Sequence, residues 1–436
     1  MYLTHLSLAN FRNYVRLSLD MPQHITVLQG ANAQGKTNFL ESLYYLATAR
    51  SPHAASDSQL INWLARHDDL PHARIVAEVM RGEEPTRVGL PTRVEPVPHM
   101  EKPTRIEITL TQDVDRGTFR KHVRINGVPK RVMDLLGQVN VVQFVPQDIA
   151  LIDGAPTVRR RHLNVTLCQV DPPYCRALQQ YTRVLQRRNA LLRQLRERGG
   201  DRGQLDFWDQ ELAQHGALII AQRQQTTIDL EEHAQPVHAD LSGGKERLRL
   251  RYVPSFDPRH PPKDELQMSL SFDLPAPISI PQDPSQIRSV YLDTLHRLRK
   301  AEIARGSTLV GPHRDELRLY NGQIDLHLFG SRGQQRTAVL AMKLAEVSWM
   351  VQQTGHRPIL LLDDVMSELD VERREYVCQQ LLRVEQAVVT TTDLEDLTPD
   401  LLRHAALYHV SQGHLSPPGR QNAPHSHSSD TLEPDN

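Results

Sequence analysis

Two short motifs near opposite ends of the chain constrain its fold most strongly. GANAQGKT at Gly30 to Thr37 fits the pattern GxxxxGK[ST], and PILLLDD ends on Asp363 and Asp364. A glycine loop of this kind cradles phosphates at a helix N-terminus, and a carboxylate at the end of a neighbouring strand holds the metal through water. More than 300 residues separate Lys36 from Asp363. The fold therefore has to bring two halves of one site together across a long intervening segment.

The glycine loop is flanked by the strand and the helix that a phosphate site needs. An apolar strand at 25–28 precedes it, and apolar residues at helical spacing follow it from 38 to 48. We expect its backbone N–H groups to bind the α- and β-phosphates, Lys36 to reach the β- and γ-phosphate oxygens, and the Thr37 hydroxyl to ligate Mg²⁺. The predicted nucleotide-binding residues are Gly30, Ala31, Asn32, Ala33, Gln34, Gly35, Lys36 and Thr37.

The second motif supplies the acidic groups of the site. Residues 359–362 predict a buried parallel strand, which places Asp363 at the carboxyl end, where open α/β sheets bind ligands. Asp363 is therefore the predicted partner of Thr37 in holding the metal, and Asp364 is placed to orient or deprotonate the attacking water. The predicted catalytic residues are Lys36, Asp363 and Asp364. Because Asp is one methylene shorter than the Glu more common at this place in related ATPases, we expect slow hydrolysis.

Two further glycine-rich stretches compete for a phosphate-binding role. GSRGQQR at Gly330 to Arg336 opens a predicted helix, where Ser331 and Gly333 form either an anion site or a simple N-cap. LSGGKE at Leu241 to Glu246 precedes an alternating strand pattern and not a helix. We therefore predict that LSGGKE is a turn that bends at its two glycines and binds no phosphate.

Charge is balanced over the whole chain but not along it. The 436 residues suit two domains, or one domain interrupted by another, and carry a formal net charge of -1. Between Pro156 and Gly203 there are 11 arginines against three acids, which indicates either a solvated helix face or a nucleic-acid surface. Three cysteines without a CxxC pair and no apolar run of about 20 residues indicate a cytoplasmic protein with free thiols and no membrane span.

Seven motifs, taken in order, resemble the RecF family of bacterial DNA-recombination proteins, relatives of the ABC-type ATPase heads of Rad50 and SMC. Besides the glycine loop they are NFRNY at Asn10 to Tyr14, PQDIALIDGAPTVRRRHLN at Pro146 to Asn164, TLVGPHRDEL at Thr308 to Leu317, SRGQQR, LLLDDVMSELD and TTTD. The resemblance covers nearly the whole chain. Each piece is short, but the ordered series is highly specific.

The resemblance implies an α/β fold. We expect an ABC-type P-loop ATPase head, with a mixed sheet and a parallel core, split by a largely helical α+β insertion. The N-terminal part of the head would occupy 1–150, including a proline-rich loop at 82–104. The Arg-rich insertion would occupy 151–305 and the C-terminal part of the head 306–411. A disordered tail would follow at 412–436.

The resemblance also implies a homodimer that sandwiches ATP and Mg²⁺. In such heads Ser331, Gly333 and Gln334 would contact the γ-phosphate bound to the other subunit's glycine loop. Ser367 and Asp370 would lie in the D-loop at the interface. ATP binding would join the two subunits, and hydrolysis would release them.

Members of the family act in recombinational repair of single-strand gaps. The resemblance therefore implies ATP-dependent binding of single-stranded or gapped DNA, weak DNA-stimulated ATP hydrolysis, and work with RecR, RecO and RecA in RecA loading, replication restart and the SOS response. Arginine suits phosphate oxygens, and the predicted DNA contacts are Arg159, Arg160, Arg183, Arg187 and Arg188. Alternatively, Arg159 to Arg161 anchor the insertion to the head. A transporter-type ATPase subunit and a non-hydrolytic ATP-gated scaffold are the competing functions.

Three further places allow two interpretations each. Arg12 in NFRNY and the pair His313-Arg314 in GPHRD would contact nucleotide or DNA, or would only close turns. Either Gln143 or Gln147 would be the Q-loop metal ligand. ABC transport ATPases usually carry a histidine where Thr390 to Asp393 stand here, so γ-phosphate sensing at this place would have to use a hydroxyl.

Overall fold

The computed structural model describes residues 1–67, 70–81, 102–113, 118–259 and 283–417. In chain order the strands are β1 (Tyr2–Phe11), β2 (Tyr14–Asp20), β3 (Ile25–Gln29), β4 (His72–Met80), β5 (Thr104–Asp113), β6 (Thr118–Ile125), β7 (Val128–Lys130), β8 (Val141–Phe144), β9 (Leu248–Val253), β10 (Glu316–Asn321), β11 (Ile324–Asp325), β12 (Ile359–Asp363), β13 (Ala387–Thr391), β14 (Ala405–Ser411) and β15 (His414–Ser416). The α-helices are α1 (Lys36–Thr48), α2 (Ala150–Asp153), α3 (Pro156–Val170), α4 (Pro172–Arg198), α5 (Leu205–Ser242), α6 (Pro284–Arg305), α7 (Leu326–Phe329), α8 (Arg332–Thr354), α9 (Val371–Leu381) and α10 (Pro399–Arg403). Most of the predicted proline-rich loop and residues 418–436 of the predicted tail lie outside the described residues.

The central sheet brings the two halves of the predicted site to one edge. Its order is β15-β14-β3-β13-β12-β8, and all its strands except β15 run parallel. Every residue of β12 and β13 is buried, as expected for strands covered on both faces. In the register, Asp363 pairs with Thr390, and Thr391 pairs with Gln29. The carboxyl ends of β3 and β12 therefore lie on either side of the carboxyl end of β13.

A second sheet is antiparallel, with the order β2-β1-β4-β5-β6-β7. β1 and β2 form a hairpin, with Phe11 paired to Tyr14 across the turn. The sheet shares one core with α1 and the central sheet, in which Leu8, Phe39 and Val388 are members. This packing places the β1–β2 turn beside the start of α1.

The helical insertion is built on the antiparallel pair α4 and α5. The chain reverses at Gly199 and Gly200, which have φ of 68° and 129°, a region that side chains rarely adopt. α3, α6 and α8 pack against this pair in one apolar core. The predicted α/β head split by a helical insertion is confirmed. None of the helices in the described ranges has the length and apolar character needed to cross a membrane.

LSGGKE ends a helix instead of beginning one. α5 runs to Ser242, and Gly243 and Gly244 follow with φ of 62° and 73°. Their N–H groups donate to the carbonyl oxygens of Asp240 and Ala239, as is common at a helix C-terminus. The C-terminal end of the helix dipole disfavours phosphate. The prediction that LSGGKE is a turn before a strand is confirmed.

The structure moves two of the predicted boundaries. β10 pairs with both β9 and β11, so residues 316–325 complete a small sheet of the insertion and do not belong to the C-terminal part of the head. The physical reason is that Leu248, Leu250 and Tyr252 are buried on β9, and β9 needs a partner strand for its backbone. In addition, β15 pairs with β14. The fold therefore continues past residue 412, where the tail was expected to begin.

Candidate nucleotide-binding site

The glycine loop between β3 and α1 requires glycine at two positions. At Gly30 a Cβ atom would lie 2.4 Å from the carbonyl oxygen of Val410 on β14. At Gly35 a Cβ atom would lie 2.4 Å from Nδ2 of Asn13, and the backbone φ is 115°. A side chain at either position would therefore displace a neighbouring segment. The loop is packed closely between β14 and the β1–β2 turn.

Two turns hold the loop by its backbone. From the β1–β2 turn, Asn13 Nδ2 donates to the carbonyl oxygen of Gln34 and the Tyr14 hydroxyl donates to that of Gly35, each at 3.0 Å. From the β14–β15 turn, the N–H of Gly413 donates to the Gln34 carbonyl at 2.9 Å. The loop is thus fixed in one conformation, which reduces the ordering entropy that a ligand has to supply. Motif patterns could not identify these partners, because they are distant in the chain.

Arg12 closes the β1–β2 turn. Its Nε and Nη2 atoms donate to the Glu41 carboxylate at 2.7 and 2.8 Å, and its backbone has φ of 54°. Glu41 lies on α1 and is 1% exposed, so the ion pair fastens the turn to the helix that follows the glycine loop. Of the two roles considered for Arg12, closing the turn is the one with structural support.

Lys36 lies over the glycine loop. Its Nζ donates to the carbonyl oxygens of Gly30 at 2.6 Å and Ala31 at 3.0 Å. Burial lowers the pKa of Lys36, and the neighbouring charges of Asp364 and Asp363 oppose that shift. The ammonium therefore stands between the loop and the two carboxylates, where β- and γ-phosphate oxygens would accept its hydrogen bonds.

Thr37 and Asp363 are in direct contact. The Thr37 hydroxyl donates to Asp363 Oδ1 at 3.0 Å, across 326 positions of the chain. The Thr390 hydroxyl on β13 donates to the same oxygen at 2.8 Å. A hydroxyl and a carboxylate are the hard oxygen ligands that Mg²⁺ prefers beside phosphate oxygens and waters. The residues present therefore fit a magnesium ion.

Asp364 is held in an unusual backbone conformation. Its φ is 53°, a left-handed value that costs an ordinary residue free energy. Its N–H donates to the Thr390 hydroxyl at 3.0 Å, which helps to maintain this conformation. One carboxylate oxygen, Oδ1, is buried without a hydrogen-bond partner, and burial raises the pKa of Asp364. The carboxylate is therefore a stronger proton acceptor than an ordinary Asp, as a general base requires.

Ser331 caps α8 and faces solvent. The Ser331 N–H donates to Gln334 Oε1 at 3.0 Å, and the Gln334 N–H donates to Ser331 Oγ at 3.3 Å, which is a capping box. A Cβ atom at Gly333 would meet nothing within 4 Å. Within the described ranges, no hydrogen bond joins these residues to the glycine loop of the same chain. The structure thus leaves this helix N-terminus open to another molecule, beside Leu328 and Phe329, which are 63% and 76% exposed.

The predicted D-loop is connected to both motifs. The Ser367 hydroxyl donates to the carbonyl oxygen of Asp364 at 2.9 Å, and Asp370 caps α9 by accepting from the Arg373 N–H at 3.0 Å. Arg336 on α8 forms an ion pair with Glu368 at 2.7 Å. Ser367 and Asp370 are both exposed. The D-loop is therefore linked to Asp364 by a hydrogen bond and to α8 by an ion pair.

The structure overturns two of the predicted DNA contacts. Arg188 is 0% exposed and forms ion pairs with Asp209 and Glu302, each at 2.6 Å. Arg159 is 5% exposed and forms an ion pair with Glu316 at 2.7 Å. Both face the interior of the insertion, because a buried guanidinium needs charge partners there. Neither can reach a DNA phosphate in this fold.

The other arginines divide between contacts within the protein and exposed positions that DNA can reach. Arg160 is half-buried and donates to the carbonyl oxygen of Asp315 at 2.8 Å, and Arg161 donates to that of Ser51 on the head. Arg161 thus anchors the insertion to the head, as the alternative interpretation proposed. Arg183 and Arg187 are exposed on α4, and they remain candidates for DNA contact.

The structure also shows where the other residues with two possible interpretations lie. His313 contacts the Tyr181 hydroxyl at 2.7 Å and is largely buried in the insertion, which favours a structural role, whereas Arg314 is exposed. Gln143 is 8% exposed on β8, with its Nε2 atom lacking a partner. Gln147 is exposed beyond the end of β8. In the register Gln143 lies opposite Leu361, two residues before Asp363 on the same face.

Comparison with known proteins gives consistent matches over the full length. A family model described as RecF/RecN/SMC N terminal domain matches residues 2–414. The DNA replication and repair protein RecF of Roseiflexus castenholzii is 42% identical over 425 residues, which cover 96% of this chain and 100% of that protein. RecF of Herpetosiphon aurantiacus is 40% identical over 428 residues, with coverage of 96% and 100%.

Solved structures agree with the sequence matches. A structure of the recombination mediator protein RecF-ATP in the RecFOR pathway has a TM-score of 0.76 at 27% identity, and the match covers 95% of this chain and 97% of that one. A structure of RecF-ATPrS in the same pathway has a TM-score of 0.77 at 27% identity, with coverage of 95% and 98%.

Proposed function

This chain belongs to the RecF family, and we propose that it binds DNA under the control of ATP binding and hydrolysis in recombinational repair. The observation that carries the proposal is the 3.0 Å hydrogen bond from Thr37 to Asp363, which assembles a P-loop ATPase site across the insertion. The transporter-type alternative is not favoured, because the similarity to RecF of Roseiflexus castenholzii extends over 96% of the chain.

Each residue of the site has a distinct task in hydrolysis. The backbone of the glycine loop and Lys36 bind the phosphates, and Thr37 with Asp363 would hold Mg²⁺, which neutralises charge on the phosphate oxygens. Asp364 orients the attacking water and accepts its proton. The Thr390 hydroxyl holds the Asp363 carboxylate and the Asp364 backbone N–H through its two hydrogen bonds. Because Asp364 reaches less far than a Glu, hydrolysis is slow, and DNA stimulates it.

The exposed N-terminus of α8 supports an ATP-dependent homodimer. Ser331, Gly333 and Gln334 contact the γ-phosphate that the other subunit binds, and Ser367 and Asp370 lie at the interface. Three exposed apolar side chains adjoin these residues in the chain: Leu328, Phe329 and Val371, which is 74% exposed. Apolar residues of this kind gain from burial in a partner interface.

The exposed arginines of α4 support DNA as the ligand of the assembled protein. The substrates are single-stranded or gapped DNA, and the biological partners are those of the RecFOR pathway, RecR and RecO, together with RecA. Action on the chromosome places the protein in the cytoplasm. Binding to labelled single-stranded, duplex and gapped DNA, each with and without ATP, tests this directly, and binding that ignores ATP in all three would reject the proposal.

Sedimentation velocity of the full chain tests the dimer. The wild-type protein should shift from monomer to dimer only with ATP and Mg²⁺. In Ser331→Arg a long cation occupies the γ-phosphate contact, so the protein should stay monomeric. Ser289→Arg, at an exposed serine on α6, is the matched control and should dimerise. An intact ATP-dependent dimer in Ser331→Arg would reject the sandwich.

A further inference from the structure

The end of the α4–α5 hairpin carries two neighbouring aromatic side chains among arginines. Phe207, in the first turn of α5, is 60% exposed. Its ring lies edge-on to Trp208, with the ring centroids 5.0 Å apart. The Arg187 guanidinium lies over the Trp208 ring at 5.7 Å from its centroid. We call Arg187, Phe207 and Trp208 the hairpin tip.

The hairpin tip is held on a rigid support. Leu192 and Leu195 of α4 and Leu205 of α5 form a small buried cluster of their own, and Leu192 and Leu205 are 0% exposed. Leu205 precedes Phe207 by two residues, so this cluster fixes the start of α5. A ring on a fixed support loses little entropy when a ligand stacks on it.

The two acids that flank the aromatic pair, Asp206 and Asp209, are already paired, whereas most of the arginines are not. Asp209 pairs with Arg188 and with Arg299, each at 2.6 Å, and Asp206 pairs with Arg299. Four other arginines near the tip are exposed and form no ion pair within the described residues: Arg183, Arg193, Arg198 and Arg202. Their positive charge is therefore available to a polyanion.

Four exposed arginines share one face of α4. Arg176, Arg183, Arg187 and Arg198 are separated by 7, 4 and 11 residues, which are close to whole turns of an α-helix. At 1.5 Å per residue this arginine stripe is about 33 Å long, close to one turn of B-form DNA at about 34–36 Å. The stripe leads to the hairpin tip.

We propose that the hairpin tip is a stacking site for an unpaired nucleobase, and that the arginine stripe follows the phosphates of the adjoining strand. The proposal rests on the DNA-binding function proposed above and deepens it. Arginine contacts to phosphates do not distinguish paired from unpaired DNA. An aromatic face does distinguish them, because bases in a duplex are already stacked on both sides, whereas an unpaired base offers a free π face. The tip therefore selects a junction between duplex and single strand.

The test compares two labelled DNAs with the full chain in ATP and Mg²⁺, by fluorescence anisotropy: a blunt duplex, and the same duplex with a single-stranded extension. Phe207→Ala should weaken binding to the extended DNA about tenfold and leave the duplex unchanged. Phe207→Trp should restore the preference. Arg187→Gln should weaken both and lower the salt slope by about 1.

Trp63→Ala is the matched control, because Trp63 is 65% exposed in the head, outside the tip and the stripe. It should bind both DNAs like wild type. Suppose that the Phe207→Ala protein keeps its ATP-dependent dimer and still prefers the extended DNA as strongly as wild type. This result would reject the stacking site but not the proposed function. Equal losses on both DNAs would also reject the stacking site. Failure of the wild-type protein to bind either DNA with ATP would instead reject the proposed function.

Discussion

The nucleotide site and the α4–α5 hairpin both concentrate charged side chains, but they satisfy them differently. In the site, Lys36 donates to backbone carbonyls, Asp363 accepts from two hydroxyls, and Asp364 keeps a buried oxygen without a donor. Within the described residues, no ion pair joins the lysine to either aspartate. In the hairpin, Arg188 is enclosed by Asp209 and Glu302 and is 0% exposed. The site keeps charge uncompensated for a ligand, whereas the hairpin compensates its interior charge completely.

The largest effect should come from removing the uncompensated acid. Asp364→Asn keeps the size of the side chain but cannot accept a proton, so we expect turnover to fall about 10²- to 10⁴-fold. Phosphate release measures turnover, and a separate titration should show ATP binding retained. Glu395→Gln, at an exposed acid that follows β13, should change turnover less than about twofold. Unchanged turnover in Asp364→Asn would place the base elsewhere.

The next-largest effect should come from removing the buried cation Arg188 from its ion pairs in the α4–α5 hairpin. Arg188→Ala leaves Asp209 and Glu302 buried without their cation, which should lower the free energy of unfolding by about 3–5 kcal/mol. Its neighbour Arg187 is exposed, so Arg187→Ala should lower it by less than about 1 kcal/mol. Urea unfolding of both variants measures the difference. Similar losses in the free energy of unfolding for the two variants would show that burial does not decide which arginine stabilises the fold.

A smaller effect should come from removing the Thr390 hydroxyl, which is hydrogen-bonded to both Asp363 and Asp364. Thr390→Val keeps the shape of the side chain but removes the hydroxyl that accepts from the Asp364 N–H and donates to Asp363, at a cost of about 0.5–1.5 kcal/mol per hydrogen bond. We expect turnover to fall about tenfold while ATP still binds. Thr392→Val, at the exposed threonine two residues later, should behave like wild type. If the two variants behave alike, Thr390 has no positioning role.

The smallest effect is a pH dependence of stability in the insertion. Burial lowers the pKa of His313 from 6.5 to about 4, so the unfolded chain binds a proton more readily than the folded one. The stabilisation is complete above the unfolded pKa and is lost as pH falls below it, by about 0.7 kcal/mol between pH 7 and pH 6. His313→Asn should remove this part of the dependence in urea unfolding at both pH values. An unchanged pH dependence would assign it to other groups.

The motifs made the nucleotide site predictable because their spacing encodes the chemistry. The glycine loop, Asp363 and the rejection of LSGGKE all depend on which element follows which, and that order can be read in the sequence. The sequence did not indicate Gly413, nor the hydrogen bonds of Thr390 to the two aspartates, because the partners lie more than twenty residues away and contacts of that range have no local pattern.

The arginines were harder to assign, although one pattern was available. Arg188 lies seven residues from both Tyr181 and Leu195, which are buried on α4. This spacing places Arg188 on the buried face of the helix. Counting arginines treated Arg187 and Arg188 alike, whereas helical periodicity separates them. The acid partners of Arg188 on α5 and α6 became visible only in the folded chain.

The contact between Gly413 and the glycine loop also sets an order of events in synthesis. The loop and its lysine are made first, whereas Asp363, Thr390 and the β14–β15 turn follow more than 300 residues later. A chain still being translated therefore carries a phosphate loop without its clamp or its carboxylates. The complete, clamped site therefore forms only after residue 413 has been synthesised.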